Sequence, residues 1–208
     1  MAMCAAFGDK PGENMQILIG QLVNVMKDGK AVRMSKRAGN VVTIDDLTDA
    51  IGVDASRYSL ARTDYNSPVD IDLNLLSSHS NENPVYYVQY AYARICTLLK
   101  ALAAEGHTVP AAADADLSVL TADEEKALIK QLAQYPAVVY LAARDYDPSF
   151  INRYLGELAA AFHKFYNACR IKGEAENVLL ARLKLADTAR AVLKNGMTLI
   201  GCSAPEKM

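Results

Sequence analysis

The sequence predicts a mainly α-helical fold in which a helical bundle follows a small α/β region. An extended apolar stretch near the amino terminus is interrupted by Asp28-Gly29, a dipeptide that is preferred in tight β-hairpins. Further along, Asn83-Pro84 and Asp147-Pro148 each join a capping residue to a proline suited to the first helical turn. Apolar residues at three- and four-residue spacing follow both pairs, which is typical of the buried face of a helix.

The α/β region is predicted to cover residues 1–71. Residues 15–34 should form a β-hairpin, because Ile17, Ile19 and Leu22 lead into a type I′ turn at Asp28-Gly29. Two short helices should follow. They are Ile44–Ile51, capped by Thr43 and ended by Gly52, and Ala55–Arg62, capped by Asp54.

The bundle is predicted to cover residues 72–208, after a helix break at Asn66-Ser67-Pro68. Its first long helix should run from Pro84 to about Gly106. A capping box is expected between Thr121 and Glu124, and Pro136 should split or kink the helix that follows. The last two helices are expected over 148–173 and 175–196. The expected buried stripes are Val88, Ala91, Ile95, Leu98 and Leu102 in the first helix, and Ile151, Leu155, Leu158, Phe162, Phe165 and Cys169 in the later one.

Composition restricts the possible functions. No apolar run approaches the ~20 residues of a membrane span, and the amino terminus does not resemble a secretory signal, so we expect a cytoplasmic protein without membrane contact. The four cysteines and three histidines are scattered without metal-ligand spacing, so we expect buried thiols and no metal site. With a net charge of −2, any contact with RNA should be local and specific.

The most informative segment is the loop Val32–Asn40, which follows a predicted strand. It combines three cations, a hydroxyl and a glycine within nine residues. Such a loop can direct cationic groups at phosphate oxygens, and its glycine lets the backbone approach closely. A solvated basic loop is the simpler alternative on composition alone.

Residues 33–37, Arg-Met-Ser-Lys-Arg, resemble the second signature of class I aminoacyl-tRNA synthetases, usually written KMSKS, in the form that the arginyl enzymes favour. The resemblance implies a loop that closes over ATP, which would be accompanied by Mg²⁺. Lys36 would stabilise the charge that develops at the α-phosphate. The implied catalytic residues are Arg33, Met34, Ser35 and Lys36, and the implied ATP contacts are Lys36, Arg37 and Gly39.

Three further segments resemble the arginyl enzymes. Residues 83–94 look like the start of their anticodon-binding domain, residues 162–167 occur at a plausible spacing, and the tail 203–208 looks like their carboxyl terminus. The resemblance therefore implies the carboxyl-terminal portion of an arginine–tRNA ligase, with the bundle as its anticodon-binding domain. The implied partners are arginine tRNA, ATP and L-arginine.

The bundle offers a matching set of side chains. Tyr87, Tyr90 and Arg94 share one helical face, where rings and a guanidinium could stack on and hydrogen-bond to unstacked bases. The simpler alternative is that these tyrosines pack at the bundle edge with their hydroxyls in water. A second helix presents His163, Tyr166, Asn167 and Arg170. The candidate anticodon-binding residues are Tyr87, Tyr90, Arg94, Tyr166, Asn167 and Met208.

Nothing in the sequence matches HIGH, the first signature of class I synthetases. We therefore expect this chain alone to be inactive in arginine activation. A stand-alone RNA-binding module without catalysis remains an alternative. A cysteinyl enzyme is a further one, although the Met-Ser-Lys-Arg-Ala-Gly-Asn form and the terminal Pro-Glu-Lys-Met argue against it.

Overall fold

The computed structural model of the protein describes residues 1–32 and 42–208. Helices dominate these ranges, as predicted. The amino-terminal region contains α1 (Ala2–Ala6), β1 (Val23–Lys27), β2 (Lys30–Ala31), α2 (Ile44–Ile51), α3 (Val53–Ala61), β3 (Val69–Asp72) and α4 (Leu73–Ser77). The bundle contains α5 (Pro84–Ala104), a 3₁₀ turn (Leu117–Val119), α6 (Asp123–Ala133), α7 (Tyr135–Asp145), α8 (Ser149–Ala168) and α9 (Glu176–Leu199).

The predicted hairpin is present but shorter than expected. Strands β1 and β2 pair antiparallel, and Asp28 and Gly29 both have positive φ, at 53° and 70°. The predicted hairpin strand is too long at its amino-terminal end, because the strand begins only at Val23, where β3 lies alongside to pair with it. Ile17, Ile19 and Leu22 precede the strand and are exposed.

Strand β3 was not predicted. It pairs parallel with β1, with Val69 opposite Val23, and gives a three-stranded sheet in the order β2-β1-β3. The side-chain amide of Asn24 donates to Asp70 across the two strands at 2.8 Å. This short strand precedes α4 directly and leads the chain toward the bundle.

The boundaries of α2 follow the prediction. The hydroxyl of Thr43 accepts from the backbone N–H of Asp46 at 3.1 Å, Asp46 accepts from the backbone N–H of Thr43, and Gly52 ends the helix. The prediction that Asp54 caps α3 was wrong. Helix α3 begins earlier, at Val53, and the Asp54 carboxylate instead binds the carboxyl-terminal tail.

Helix α5 begins as predicted, with Asn83 as its cap and Pro84 as its first residue. It ends at Ala104, just before Gly106. The predicted capping box was one residue out of register. Glu125, and not Glu124, accepts from the backbone N–H of Ala122, because its carboxylate is buried and also binds an arginine of α9.

The helices after α5 occur in the predicted order, but some of their ends differ from the prediction. Pro136 lies in the first turn of α7 and separates it from α6, as predicted. Helix α8 begins at Ser149, whose N–H donates to Asp147 at 2.9 Å, and it ends at Ala168 instead of Gly173. Helix α9 continues to Leu199, three residues beyond the predicted end.

A single apolar core includes residues from both regions. The predicted stripes of α5 and α8 are buried, apart from the half-buried Leu98, and Leu47, Tyr58 and Ile71 of the first region join the same cluster. Tyr58 donates through its hydroxyl to the carbonyl of Asn152, whose side-chain amide donates back to the carbonyl of Tyr58. The boundary between residues 71 and 72 stays a prediction.

All four cysteines are buried free thiols, as expected. Within residues 1–32 and 42–208, no helix is both long and apolar enough to cross a membrane. The same ranges contain no cluster of three or more histidine, cysteine or acidic side chains that could hold a metal ion.

Candidate nucleic-acid interface

Helices α5 and α8 pack against each other and bring the two predicted polar faces together. The ring of His163 lies 5.0 Å from the ring of Tyr87 and 5.8 Å from that of Tyr90, measured between centroids. One turn further along, the guanidinium carbon of Arg94 lies 4.1 Å from the ring centroid of Tyr166. Residues of both sets are therefore in contact where α5 meets α8.

Four of the six candidate anticodon-binding residues line the same cavity. It has a volume of about 630 Å³, and it is lined by Tyr90, Arg94, Tyr166 and Met208 together with apolar residues of α5. Tyr90 is 37% exposed and Met208 is 53% exposed, so both side chains are accessible to a ligand. We call this cavity the tyrosine groove.

The tyrosine groove is locally basic in a protein of net charge −2. Arg94, Lys172 and Lys207 line it, against the carboxylate of Glu105. Lys172 and Glu105 form an ion pair at 2.5 Å, which leaves Arg94 and Lys207 as the cations outside that pair. Stacking on Tyr166 orients the Arg94 guanidinium and still leaves its N–H groups able to donate to a ligand.

His163 forms the wall between Tyr87 and Tyr90. Burial, and to a smaller extent the charge of Arg94, lower its pKa from 6.5 to about 4. Its Nε2 atom is buried and has no hydrogen-bond partner among the described residues. At neutral pH His163 is therefore an uncharged ring that supports the tyrosines, and not a cation for phosphate.

The aromatic surface extends further than the sequence analysis predicted. Tyr86 stacks with Tyr90 at 6.2 Å and with His79 at 5.8 Å, with interplanar angles of 5° and 15°. His79, Tyr86 and Met208 line a second cavity of about 710 Å³, so Met208 borders both. The four-residue spacing of Tyr86 and Tyr90 was the signal that could have identified Tyr86.

The two remaining candidates lie outside the tyrosine groove. Tyr87 is half-buried, and burial raises its pKa. It lines a separate cavity with Arg62 and Arg153. Asn167 is exposed on α8 and lines none of the cavities described above.

The predicted ATP loop lies outside the described residues. This applies to Arg33, Met34, Ser35, Lys36, Arg37 and Gly39. The structure describes the chain again from residue 42, where Thr43 caps α2. The assignments of these six residues stay predictions.

Met208 reaches the groove because the tail returns along α5. Cys202 is buried in the core at the end of α9. Beyond it, Glu206 forms an ion pair with Lys100 of α5 at 2.5 Å. Two residues later, Met208 lies between the two aromatic cavities.

Comparison with known proteins identifies close relatives. A family model described as the DALR anticodon binding domain matches residues 88–208. The whole chain is 58% identical to part of an arginine–tRNA ligase of Bifidobacterium adolescentis and 53% identical to part of one from Kineococcus radiotolerans. It covers 38% of each of these relatives, so it spans well under half of their length.

Solved structures give the same result. An arginyl-tRNA synthetase chain of Campylobacter jejuni superimposes on the whole chain with a TM-score of 0.85 and 32% identity, and 44% of that chain is covered. An arginyl-tRNA synthetase of Thermus thermophilus matches 88% of the chain with a TM-score of 0.68 and 25% identity, over 34% of its own length. The chain is thus similar to the carboxyl-terminal portion of arginyl-tRNA synthetases.

Proposed function

Since this chain belongs to the family of DALR anticodon-binding domains, we propose that it binds the anticodon loop of arginine tRNA as part of an arginine–tRNA ligase. The observation that carries the proposal is the tyrosine groove, in which Tyr90, Arg94, Tyr166 and Met208 meet. The similarity of the whole chain to part of the arginine–tRNA ligases supports arginine tRNA as the partner. We also propose a cytoplasmic location, on the strength of the same relatives.

Each side chain of the groove has a chemical role in this proposal. An unstacked base lies on the exposed ring of Tyr90, and such stacking contributes roughly 1–3 kcal/mol per base. Arg94 donates to a phosphate or a base edge in an orientation that Tyr166 sets. Met208 adds a flexible apolar side chain that adapts to the face of a base. Because the overall charge is −2, binding depends on these local contacts.

We further propose that Lys36 acts in arginine activation in the complete enzyme. The carboxylate of L-arginine attacks the α-phosphate of ATP, which arrives with Mg²⁺, and pyrophosphate leaves. Lys36 stabilises the negative charge that develops during this step. Arg37 and Gly39 contact ATP, while Arg33, Met34 and Ser35 complete the loop. The Met-Ser-Lys sequence supports these assignments.

The test of anticodon binding is a titration of the chain with two RNA hairpins. One carries the anticodon stem-loop of an arginine tRNA, and the other carries the same stem with a scrambled loop. We expect tighter binding of the arginine hairpin and a loss of about tenfold in Tyr90→Ala, which removes one stacking surface. Tyr140→Ala is the matched control, because Tyr140 is a 65% exposed tyrosine on α7. Equal affinities for both hairpins would refute the proposal.

The test of Lys36 uses a full-length relative that carries this region. Lys36→Ala should lower the rate of arginine-dependent pyrophosphate exchange by roughly 10²–10³-fold and leave the KM for arginine nearly unchanged, because the lysine acts mainly in the transition state. Lys30→Ala, at an exposed lysine of β2 before the loop, serves as the control. A Lys36→Ala enzyme with normal turnover would remove Lys36 from the mechanism.

A further inference from the structure

The carboxyl-terminal tail is held by the carboxylate of Asp54, which lies 149 residues before Ser203 in the sequence. Oδ1 of Asp54 in α3 accepts from the backbone N–H of Ser203 at 3.0 Å. Oδ2 accepts from the side-chain amide of Gln89 in α5 at 2.7 Å, and also from the Ser203 hydroxyl. Only a carboxylate offers this number of acceptor sites without a competing donor.

The neighbouring contacts restrict the path of the tail as it approaches Asp54. One turn along α3, Arg57 donates to the carbonyl of Ile200 at 3.3 Å. Gly201 follows with a φ of 72°, and a Cβ there would collide with the Arg57 guanidinium. The backbone at residues 200–203 is therefore fitted closely to α3.

Several contacts anchor the tail, and Asp54 shares Ser203 with Gln89, whose side-chain amide donates to the Ser203 carbonyl at 3.1 Å. A more distant anchor is the ion pair between Lys100 and Glu206, in which both side chains are more than half exposed. Exposed pairs of this kind contribute little, because water and salt screen them. Ser203 is exposed, but Asp54 is half-buried and also binds Gln89, which is 8% exposed, so this anchor is less exposed than the ion pair.

We propose that Asp54 is a positioning residue for anticodon recognition. It orders the tail at Ser203, and this places Met208, five residues further on, beside Tyr90 and Arg94. The inference rests on the proposed function of the tyrosine groove. Asp54 lies outside residues 88–208, which the family model matches, so recognition depends on a residue from the region that precedes the bundle.

The first arm of the test measures tail order without RNA. Amide hydrogen exchange of Ser203, whose N–H donates to Asp54, should become at least about tenfold faster in Asp54→Asn, because the variant places an NH₂ group where two donors now point. Asp145→Asn is the matched control, since Asp145 pairs with Arg144 on α7 and has no contact with the tail. Unchanged exchange in Asp54→Asn would overturn the inference.

The second arm is a double-mutant cycle on RNA binding. Asp54→Asn and Met208→Ala should each weaken binding of the arginine hairpin by about three- to tenfold. The double variant should have the same affinity as whichever single variant binds the hairpin less tightly. This non-additivity distinguishes positioning from a general loss of stability, which would lower binding to the same degree in either background. Additive effects would overturn the inference.

Ser203→Ala provides an independent variant in case Asp54→Asn folds poorly. It removes the hydroxyl donor but keeps the backbone N–H on Oδ1, so an intermediate loss that again vanishes in the Met208→Ala background is expected. A full additional loss in that background would count against the inference. If the unmodified chain fails to distinguish the two hairpins, the proposed function falls and this inference falls with it. Discrimination that is insensitive to Asp54 overturns the inference alone.

Discussion

His163 lies where the tyrosines of α5 meet α8, and its surroundings determine its charge. Phe162, Tyr87 and Tyr90 are all within ring-stacking distance. Burial among these rings removes water from the imidazole, and Arg94 disfavours a second positive charge nearby, so the pKa falls from 6.5 to about 4. The folded protein therefore holds His163 neutral at pH values where the unfolded chain protonates it.

This difference predicts a pH-dependent contribution to stability. Well above pH 6.5 the histidine is neutral in both states and contributes no pH dependence. As the pH falls from 6.5 toward about 4, the unfolded state binds the proton first, so the free energy of unfolding decreases. Comparing urea unfolding midpoints of the native chain and His163→Phe between pH 8 and pH 5 isolates this effect. The native chain should lose more stability than the variant, and parallel curves would contradict the assigned pKa.

A second prediction concerns Glu125, whose side chain is 1% exposed and pairs with Arg182 at 2.6 Å. Arg182→Ala would leave this carboxylate buried without its cation and should cost roughly 3 kcal/mol in the free energy of unfolding. Arg144→Ala, which breaks an exposed pair with Asp145, should cost no more than about 1 kcal/mol. Chemical denaturation measures both changes. Equal costs would mean that water reaches Glu125 freely.

At the scale of the elements, Gly52 joins α2 to α3 with a φ of 82° and a ψ of 162°, a conformation that is essentially restricted to glycine. Gly52→Ala should therefore destabilise the protein by about 1–3 kcal/mol. Gly156→Ala is the control, and its expected effect on stability has the opposite sign. Gly156 lies inside α8 with open space where a Cβ would be, so alanine should stabilise the helix by roughly 0.5–1 kcal/mol. Thermal unfolding of both variants tests the pair, and a loss in both would contradict it.

Local sequence signals were sufficient for the starts of α2 and α5 and for the hairpin turn. Thr43, Asn83 and Asp28-Gly29 bind or shape only neighbouring backbone, so their effect is contained in a few residues. Strand β3 was missed because it has four residues and is defined by its pairing with β1, 46 residues away. The cap of α6 was misplaced for a similar reason, since a distant arginine fixes Glu125.

The candidate interface, like the fold, was predictable from local sequence only in part. The helical spacing of Tyr90 and Arg94 indicated a shared face, and α8 brings Tyr166 to the same groove. The role of Asp54 could not be predicted locally, because its partner Ser203 is 149 residues away. Asp54 also fits the ordinary pattern of a helix cap, so the local sequence predicts the wrong partner for it.

For the whole molecule, contacts across the predicted boundary join the two regions. Besides the shared core, the reciprocal hydrogen bonds of Tyr58 and Asn152 join α3 to α8 at 3.2 Å and 3.0 Å. Asp54 and Arg57 join α3 to the tail in the same way. Opening either region alone would leave the buried polar groups of Tyr58 and Asn152 without these partners, which is costly. The helices that follow the predicted ATP loop are therefore coupled to the helices that carry the tyrosine groove.

We accordingly predict that α3 and α8 unfold together. Under conditions where exchange reports equilibrium opening, the most protected amides of both helices should give the same free energy, equal to that of global unfolding. Tyr58→Phe removes the hydroxyl that donates to Asn152 and should lower both values equally, by about 1 kcal/mol. Tyr140→Phe, at an exposed tyrosine of α7, should change neither. If Tyr58→Phe lowered the value for α3 and left α8 unchanged, the two regions would be independent folding units, because a hydrogen bond that joins one cooperative structure must stabilise both of its ends to the same degree.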